Sequence, residues 1–149
     1  MSSGEQINFE EYLERYGTLT YHNKGVSMMP LLKQDRDLFT LAKKGPGRCK
    51  KYDVILYKGE GGQYILHRIV KVRGDDYVIR GDNTYHDEYY KDSDILGVMT
   101  SFVHNGKSYD VTDPCYRIYS VLHCADYPLR LAYLRLRRKI ARIAKKGKN

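Results

Sequence analysis

The fold class is decided by residues 64–72, whose sequence is YILHRIVKV. β-Branched and aromatic residues dominate this stretch, and such runs favour β-strands. The chain contains six further runs of this kind, and between the runs lie Gly, Asp, Asn and Pro clusters that are typical of turns. The six runs cover residues 18–22, 38–42, 53–57, 77–80, 97–104 and 108–111. We therefore predict a mainly β protein with one antiparallel β domain over residues 18–112, in which Asn105-Gly106 forms a tight hairpin turn.

A short helix is predicted ahead of the β domain. Asn8 is a suitable N-cap and Gly17 a suitable C-terminal stop. Between them, apolar residues recur at the helical spacing i, i+3, i+4, i+7: Phe9, Tyr12, Leu13 and Tyr16. We assign residues 1–17 to an N-terminal helical segment that packs on the sheet.

The segment 113–149 is predicted to be helical and basic. Asp113-Pro114 resembles an N-cap with proline in the first turn, and a second helix follows the interruption at residues 126–128. One face of that helix is apolar and the rest of its circumference is basic. The apolar positions are Leu129, Ala132, Tyr133, Leu136, Ile140 and Ile143.

The positive charge of the chain is concentrated in this last helix. The 26 Lys and Arg residues exceed the 18 Asp and Glu residues, for a net charge of +8. From residue 130 to the end there are nine basic residues and no acid, which leaves 17 basic against 18 acidic residues before it. The body is thus near neutral, and the basic segment decides which partners charge can attract.

Several protein classes are not expected. No run is long and apolar enough to span a membrane, and residues 1–8 do not resemble a secretory signal. Three cysteines, Cys49, Cys115 and Cys124, are an odd number without a CxxC pair, which favours a reducing compartment over a disulfide framework or a zinc site. We expect a cytoplasmic protein without cofactor or metal, and the basic tail leaves open a peripheral position on the inner face of the membrane.

Three short segments carry residues with catalytic potential. Ser27 lies in GVSMMP, residues 25–30, between a strand and a turn. A serine needs a base with a pKa near neutrality, and His67 is the histidine inside a long apolar strand. Asp82 follows Gly81 at a strand end. Taken singly, His67 is more simply a core histidine and Asp82 a turn residue.

Together these segments resemble a known family. Gly25-x-Ser27-Met28-x-Pro30 begins a series of five short boxes whose order is that of the S24/S26 serine peptidases. The other four are Tyr52-Asp53-Val54-Ile55, His67-Arg68-Ile69, Gly81-Asp82-Asn83 and Ile95-Leu96-Gly97. This superfamily contains the type I signal peptidases and the LexA-type self-cleaving repressors. The resemblance covers about residues 18–104 and implies a signal peptidase/LexA-like β domain. Tyr52 stands where the family usually has glycine.

The resemblance implies a role for each matching residue. Ser27 matches the nucleophile, and His67 matches the general base of the Ser-His variant, where most bacterial signal peptidases have lysine. The acid that orients the histidine is expected to be Asp82 first and Asp87 second, with Glu88 next to it. Residues of the first box that match the oxyanion and substrate-binding segment are Gly25, Met28 and Pro30. Gly25 replaces a serine that adds an oxyanion donor in many signal peptidases.

Two functions follow as hypotheses. The leading one is a serine endopeptidase of signal-peptidase-like type that acts on an extended peptide or a protein precursor. The alternative is a catalytically weak or inactive peptidase-like module that binds or regulates at a membrane surface. The absence of a membrane anchor departs from the signal peptidases, and 17 residues before the first strand are too few for the DNA-binding domain of a LexA-type repressor.

The basic tail, residues 129–148, has three interpretations. It binds an anionic membrane, packs its apolar stripe on the β domain, or binds nucleic acid. We weight the first two equally and favour nucleic acid least, because such binding needs no continuous apolar face.

Overall fold

The computed structural model describes residues 8–147, which form three α-helices, one short 3-10 helix and eight β-strands. The helices are α1 (Phe9–Tyr16), α2 (Pro114–Ala125) and α3 (Tyr127–Lys146), and the 3-10 helix is Asp92–Asp94. The strands are β1 (Thr18–His22), β2 (Leu38–Lys43), β3 (Val54–Lys58), β4 (Tyr64–Arg73), β5 (Asp76–Arg80), β6 (Glu88–Lys91), β7 (Ile95–His104) and β8 (Lys107–Asp110).

All eight strands belong to one antiparallel sheet. Its order is β1-β2-β7-β3-β4-β5-β6, and β8 pairs with β7 outside this path. The register shifts at Thr40/Leu41, Leu56/Tyr57 and Ile69/Lys71. Such bulges bend a strand and increase its twist. The sheet therefore curls into a half-barrel.

The core lies on both faces of the central strand β3. Leu56 belongs to a cluster that also contains Leu13 of α1 and Leu41 of β2. Tyr57, its neighbour in the chain, belongs to a second cluster with Ile79 of β5. Because successive side chains point to opposite faces of a sheet, a strand buried on both faces reads as a continuous apolar run, as Val54–Tyr57 does.

The structure confirms the coarse prediction of a mainly antiparallel β protein with flanking helices. Helix α1 begins after Asn8, whose side chain accepts hydrogen bonds from the backbone N–H groups of Glu10 and Glu11, and ends at Gly17 in the left-handed region. The turn Asn105-Gly106 joins β7 to β8 with positive φ at both residues, as a tight hairpin requires.

Strand β6 was not predicted from the sequence. Its four residues, EYYK, carry a charge at each end, and a strand this short is recognisable only from its partner. β5 supplies that partner, since Val78 pairs with Tyr89.

Helices α2 and α3 follow each other with only Asp126 between them. Asp113 caps α2 through the backbone N–H of Cys115, and Pro114 stands in its first turn, as predicted. None of the helices in residues 8–147 is both long and apolar enough to cross a bilayer.

A matched pair of leucine substitutions tests this core. Leu41 is fully buried on β2, whereas Leu122 on α2 is 62% exposed. We expect Leu41→Ala to lower the free energy of unfolding by about 2–5 kcal/mol through lost burial and a cavity. Leu122→Ala should change it by less than about 0.5 kcal/mol. Urea unfolding measures both, and equal effects would contradict the described packing.

Candidate functional site

Ser27 lies in a loop that joins β1 to β2 and is fastened at several points. The buried Asn23 donates its side-chain amide to the carbonyls of Gly25, at 2.7 Å, and Leu32, at 3.1 Å. Met28 and Leu32 are buried in the first core cluster. The loop is thus anchored on both sides of a half-buried Ser27.

A second loop, after β5, lies directly against the Ser27 segment. The Asn83 backbone N–H donates to the Ser27 carbonyl at 2.7 Å, and the Asn83 side-chain amide donates to the Val26 carbonyl at 3.1 Å. Two hydrogen bonds, one from the backbone and one from the side chain of Asn83, therefore hold these two loops together.

Gly81 allows the His67 ring to lie close to the Ser27 segment. A Cβ at residue 81 would stand 2.7 Å from the Ser27 carbonyl oxygen and 2.9 Å from Nε2 of His67. Real side chains do not tolerate such approaches to a backbone oxygen, so only glycine fits. The imidazole and the Ser27 segment are consequently neighbours on two sides of Gly81.

The other ring nitrogen of His67 contacts Glu88 and Tyr57. Nδ1 lies 2.8 Å from Oε2 of Glu88 and 2.9 Å from the Tyr57 hydroxyl, which itself donates to Glu88. A carboxylate can only accept, so we assign the ring proton to Nδ1. This tautomer leaves Nε2, on the side of Gly81 and Ser27, as a free acceptor.

Burial keeps this imidazole neutral. His67 is 5% exposed, and desolvation lowers its pKa from the ordinary value of 6.5, while Glu88 acts in the opposite direction. Burial and the neighbouring Glu88 also raise the pKa of the Tyr57 hydroxyl far above its usual range, so this hydroxyl remains protonated. At neutral pH His67 therefore presents an unprotonated Nε2.

The structure does not bring the two predicted orienting acids to His67. The Asp82 carboxylate accepts hydrogen bonds from Nε of Arg68 at 2.8 Å and from Nη2 of Arg68 at 2.9 Å. It also accepts one from the Tyr119 hydroxyl at 3.0 Å. Asp87 accepts Nε of Arg80 at 2.7 Å. Among residues 8–147, the carboxylate hydrogen-bonded to the His67 ring is that of Glu88, so the predicted order of Asp82 before Asp87 is replaced.

The Arg68–Asp82 pair is a buried structural element. Both side chains are at most 2% exposed. The remaining Nη1 of Arg68 donates to the Tyr52 carbonyl and to the hydroxyls of Tyr116 and Ser120 on α2. A buried charge is tolerated only when paired and hydrogen-bonded in this way. The pair therefore joins β4, the loop after β5 and α2.

The backbone of Tyr52, next to the Arg68–Asp82 pair, adopts an unfavourable conformation. Its φ is 79°, in the left-handed region, which costs a residue with a Cβ about 1–2 kcal/mol. The S24/S26 pattern that this segment resembles has glycine here, and glycine adopts this conformation freely. Tyr52 holds it because its N–H donates to the Ile69 carbonyl and its own carbonyl accepts Arg68.

A groove of about 350 Å³ opens beside the serine. Gly25 and Ser27 line it, with β1 on one side and the start of β4 on the other. Apolar side chains form part of its walls: Phe9, Phe39 and Leu56. Met28 was predicted to contribute to substrate binding, but its side chain is 1% exposed and belongs to the core. Pro30 lies on the surface and is not a wall of this groove.

Ser27 itself has unused hydrogen-bonding groups. Within the described residues its backbone N–H donates to no acceptor and its hydroxyl has no partner. An N–H free of partners beside a nucleophile is what an oxyanion site requires. Residues 8–147 also contain no group of three or more His, Cys, Asp or Glu side chains suited to a metal ion.

Sequence reasoning missed the roles of Tyr57 and Glu88. Glu88 was noted only as a neighbour of Asp87. The alternation of half-buried and exposed residues along β6 places Glu88 and Tyr90 on the inner face, a signal readable only once β6 is recognised as a strand.

The chain matches no protein-family model, and no curated protein is similar enough to count as a match.

The two aspartates should differ sharply in their effect on stability. Asp82→Ala leaves the buried Arg68 without its counter-charge, and we expect a loss of about 3–5 kcal/mol in the free energy of unfolding. Asp87→Ala removes an ion pair whose acid is 34% exposed and should cost less than about 1 kcal/mol. Chemical denaturation of both variants checks this, and a mild Asp82→Ala effect would contradict the structural role.

Proposed function

We propose that the protein is a serine endopeptidase of signal-peptidase-like type, in the S24/S26 superfamily. One observation carries the proposal: the free Nε2 of His67 and the Ser27 segment meet across Gly81, while Glu88 holds the opposite ring nitrogen. This arrangement supports Ser27 as the nucleophile, His67 as the base and Glu88 as the acid that orients the ring. The five sequence boxes support the same conclusion.

The proposed acylation follows from these positions. Ser27 Oγ attacks the scissile carbonyl while its proton passes to Nε2 of His67. Glu88 stabilises the imidazolium through Nδ1–H, and the oxyanion accepts the Ser27 N–H. Collapse breaks the C–N bond, Nε2 returns the proton to the departing amine, and an acyl ester remains on Ser27. Water, activated by the same Nε2, then hydrolyses the ester.

The sheet offers an extended substrate two backbone edges. Within residues 8–147, β1 pairs on one side only, with β2, and residues 64–67 of β4 pair only with β3, because the pairing with β5 begins at Arg68. These two edges flank the groove that contains Ser27. A peptide lying there would add as a strand, with main-chain hydrogen bonds giving affinity. The family resemblance implies small side chains next to the scissile bond.

The alternative function is a binding or regulatory module that retains the fold without turnover. Gly25 supports it, since a serine there would provide one more oxyanion donor, and losing such a donor costs about two to three orders of magnitude in rate. Covalent labelling separates the two functions.

A serine-reactive acylating probe tests the peptidase. The wild-type chain should be labelled at Ser27 because Nε2 can take the hydroxyl proton. Ser27→Ala should abolish labelling, and His67→Ala should slow it by at least about a hundredfold. Glu88→Gln should slow it less, because the ring remains but loses its charged partner. Intact-mass spectrometry measures each rate.

Two substitutions serve as controls for labelling. Ser93→Ala removes an exposed serine of the 3-10 helix, and Asp87→Asn removes the acid that we exclude from the site. Both should be labelled as fast as the wild type. Equal labelling of the wild type, Ser27→Ala and His67→Ala would overturn the proposal in favour of the binding module.

The pH dependence of labelling should follow His67. Only the neutral ring accepts a proton, so the rate is constant at high pH and falls as the pH drops through a pKa below 6.5. Glu88 raises this pKa, so Glu88→Gln should move the inflection to lower pH. Rates between pH 4.5 and 8 test both statements, and an inflection above pH 7 would exclude His67 as the base.

A further inference from the structure

Helix α3 has a packed side and a free side. Its half-buried residues are Tyr127, Arg130, Leu131 and Leu134, all in its first two turns and on one side of the helix. At about 100° per residue the apolar stripe of α3 lies on the opposite side. The interpretation in which that stripe packs on the β domain is therefore wrong.

The stripe is unusually exposed for such large side chains. We define it as five residues with the following exposed fractions: Leu129 72%, Tyr133 63%, Leu136 56%, Ile140 57% and Ile143 63%. A continuous row of this length, uncovered by any described residue, marks an interaction surface.

Charge surrounds the stripe and has one sign. Residues 127–147 contain eight basic residues and no acid. Arg137 flanks the stripe on one side and Lys139 flanks it on the other, each at about 60–100° from its axis. A partner must therefore offer an apolar interior beneath a negatively charged layer.

We propose that α3 lies flat on an anionic lipid bilayer, with the stripe buried at the boundary of headgroups and acyl chains. The flanking arginines and lysines then face the lipid phosphates. A basic amphipathic helix with one continuous apolar face has the properties of an in-plane membrane helix. Each basic residue near such a surface contributes about 1 kcal/mol.

Two other occupants fit the helix less well. A second copy pairing through the stripe would bring eight uncompensated positive charges against eight more. Nucleic acid would neutralise the charge but leave five large apolar side chains in water. Anionic lipid satisfies both requirements at once.

The first turn of α3 connects the helix to the two loops at Ser27. Arg130 donates to the carbonyls of Asp82, at 3.0 Å, and His123, at 2.7 Å, and Arg80 stacks on the Tyr127 ring. Asp82 precedes Asn83, which binds the Ser27 carbonyl. Lipid-bound α3 would thus hold the candidate site near the membrane, although the lipid proposal rests on α3 alone and not on catalysis.

The chain contains no tryptophan, so one introduced on the stripe is a specific reporter. In the full chain, Leu136→Trp emission should shift to the blue with vesicles of 30% phosphatidylserine in phosphatidylcholine, and not with phosphatidylcholine alone. Ala141→Trp is the matched control, because residue 141 lies about 140° round the helix from residue 136. Its emission should shift little or not at all.

Co-sedimentation with the same vesicles tests separately what the basic residues and the apolar stripe contribute to membrane binding. Arg137→Gln with Lys139→Gln should weaken binding about thirtyfold, at about fivefold per charge. Leu136→Ser with Ile140→Ser should weaken it at least about tenfold while preserving every charge. Lys33→Gln with Lys107→Gln, exposed basic residues outside α3, is the charge control and should lose less than the α3 pair.

Several results would overturn the proposal. They are equal binding to neutral and anionic vesicles, the same blue shift at residues 136 and 141, or a duplex DNA affinity that exceeds vesicle binding and persists in the Leu136→Ser/Ile140→Ser variant. A concentration-dependent dimer that needs the stripe, without vesicle binding, would also do so. Serine labelling in the absence of vesicles should be unchanged in all α3 variants, which separates this proposal from the proposed catalysis.

Discussion

The buried ion pair between Arg68 and Asp82 is the interaction on which the rest of this structure depends. It joins a central strand to the loop that carries Gly81 and Asn83, and the remaining guanidinium donors bind α2. A charge removed from water is stable only if each partner is in place. The pair therefore ties the position of the Ser27-contacting loop to the docking of the C-terminal helices, so the two cannot vary independently.

Neighbouring residues of β4 divide structural and chemical tasks because their side chains point to opposite faces. Arg68 contacts Asp82 and α2, whereas His67 contacts Glu88 and Tyr57 and lies against Gly81. The carboxylates are divided in the same way. Asp82 compensates a buried charge, Asp87 pairs with Arg80 near the surface, and Glu88 alone reaches the imidazole. Three acids within seven residues thus have different environments and cannot replace one another.

Much of the fold could be predicted from the sequence, and the site only in part. Caps at Asn8 and Gly17, and the Asn105-Gly106 turn, are local signals that survive folding. Ser27 and His67 were chosen from short boxes, and the structure brings their segments together. The sequence does not identify the carboxylate that binds the His67 ring. Its identity depends on which carboxylate pairs with Arg68 and on which residues of β6 face inward, and neither can be read from local sequence. Met28 was misjudged because a box residue can serve the core.

The length of the open edge of β4 limits how long a peptide segment could pair with it in the groove. Four residues, 64–67, lack a second strand partner within the described chain, and at about 3.4 Å per residue they span about 14 Å. Under the proposed function, a substrate segment must be extended and detached from its own fold over that length to pair with this edge. Substrate specificity would then depend first on whether a segment of the substrate is locally unfolded. Side-chain identity would discriminate only among segments that meet this condition.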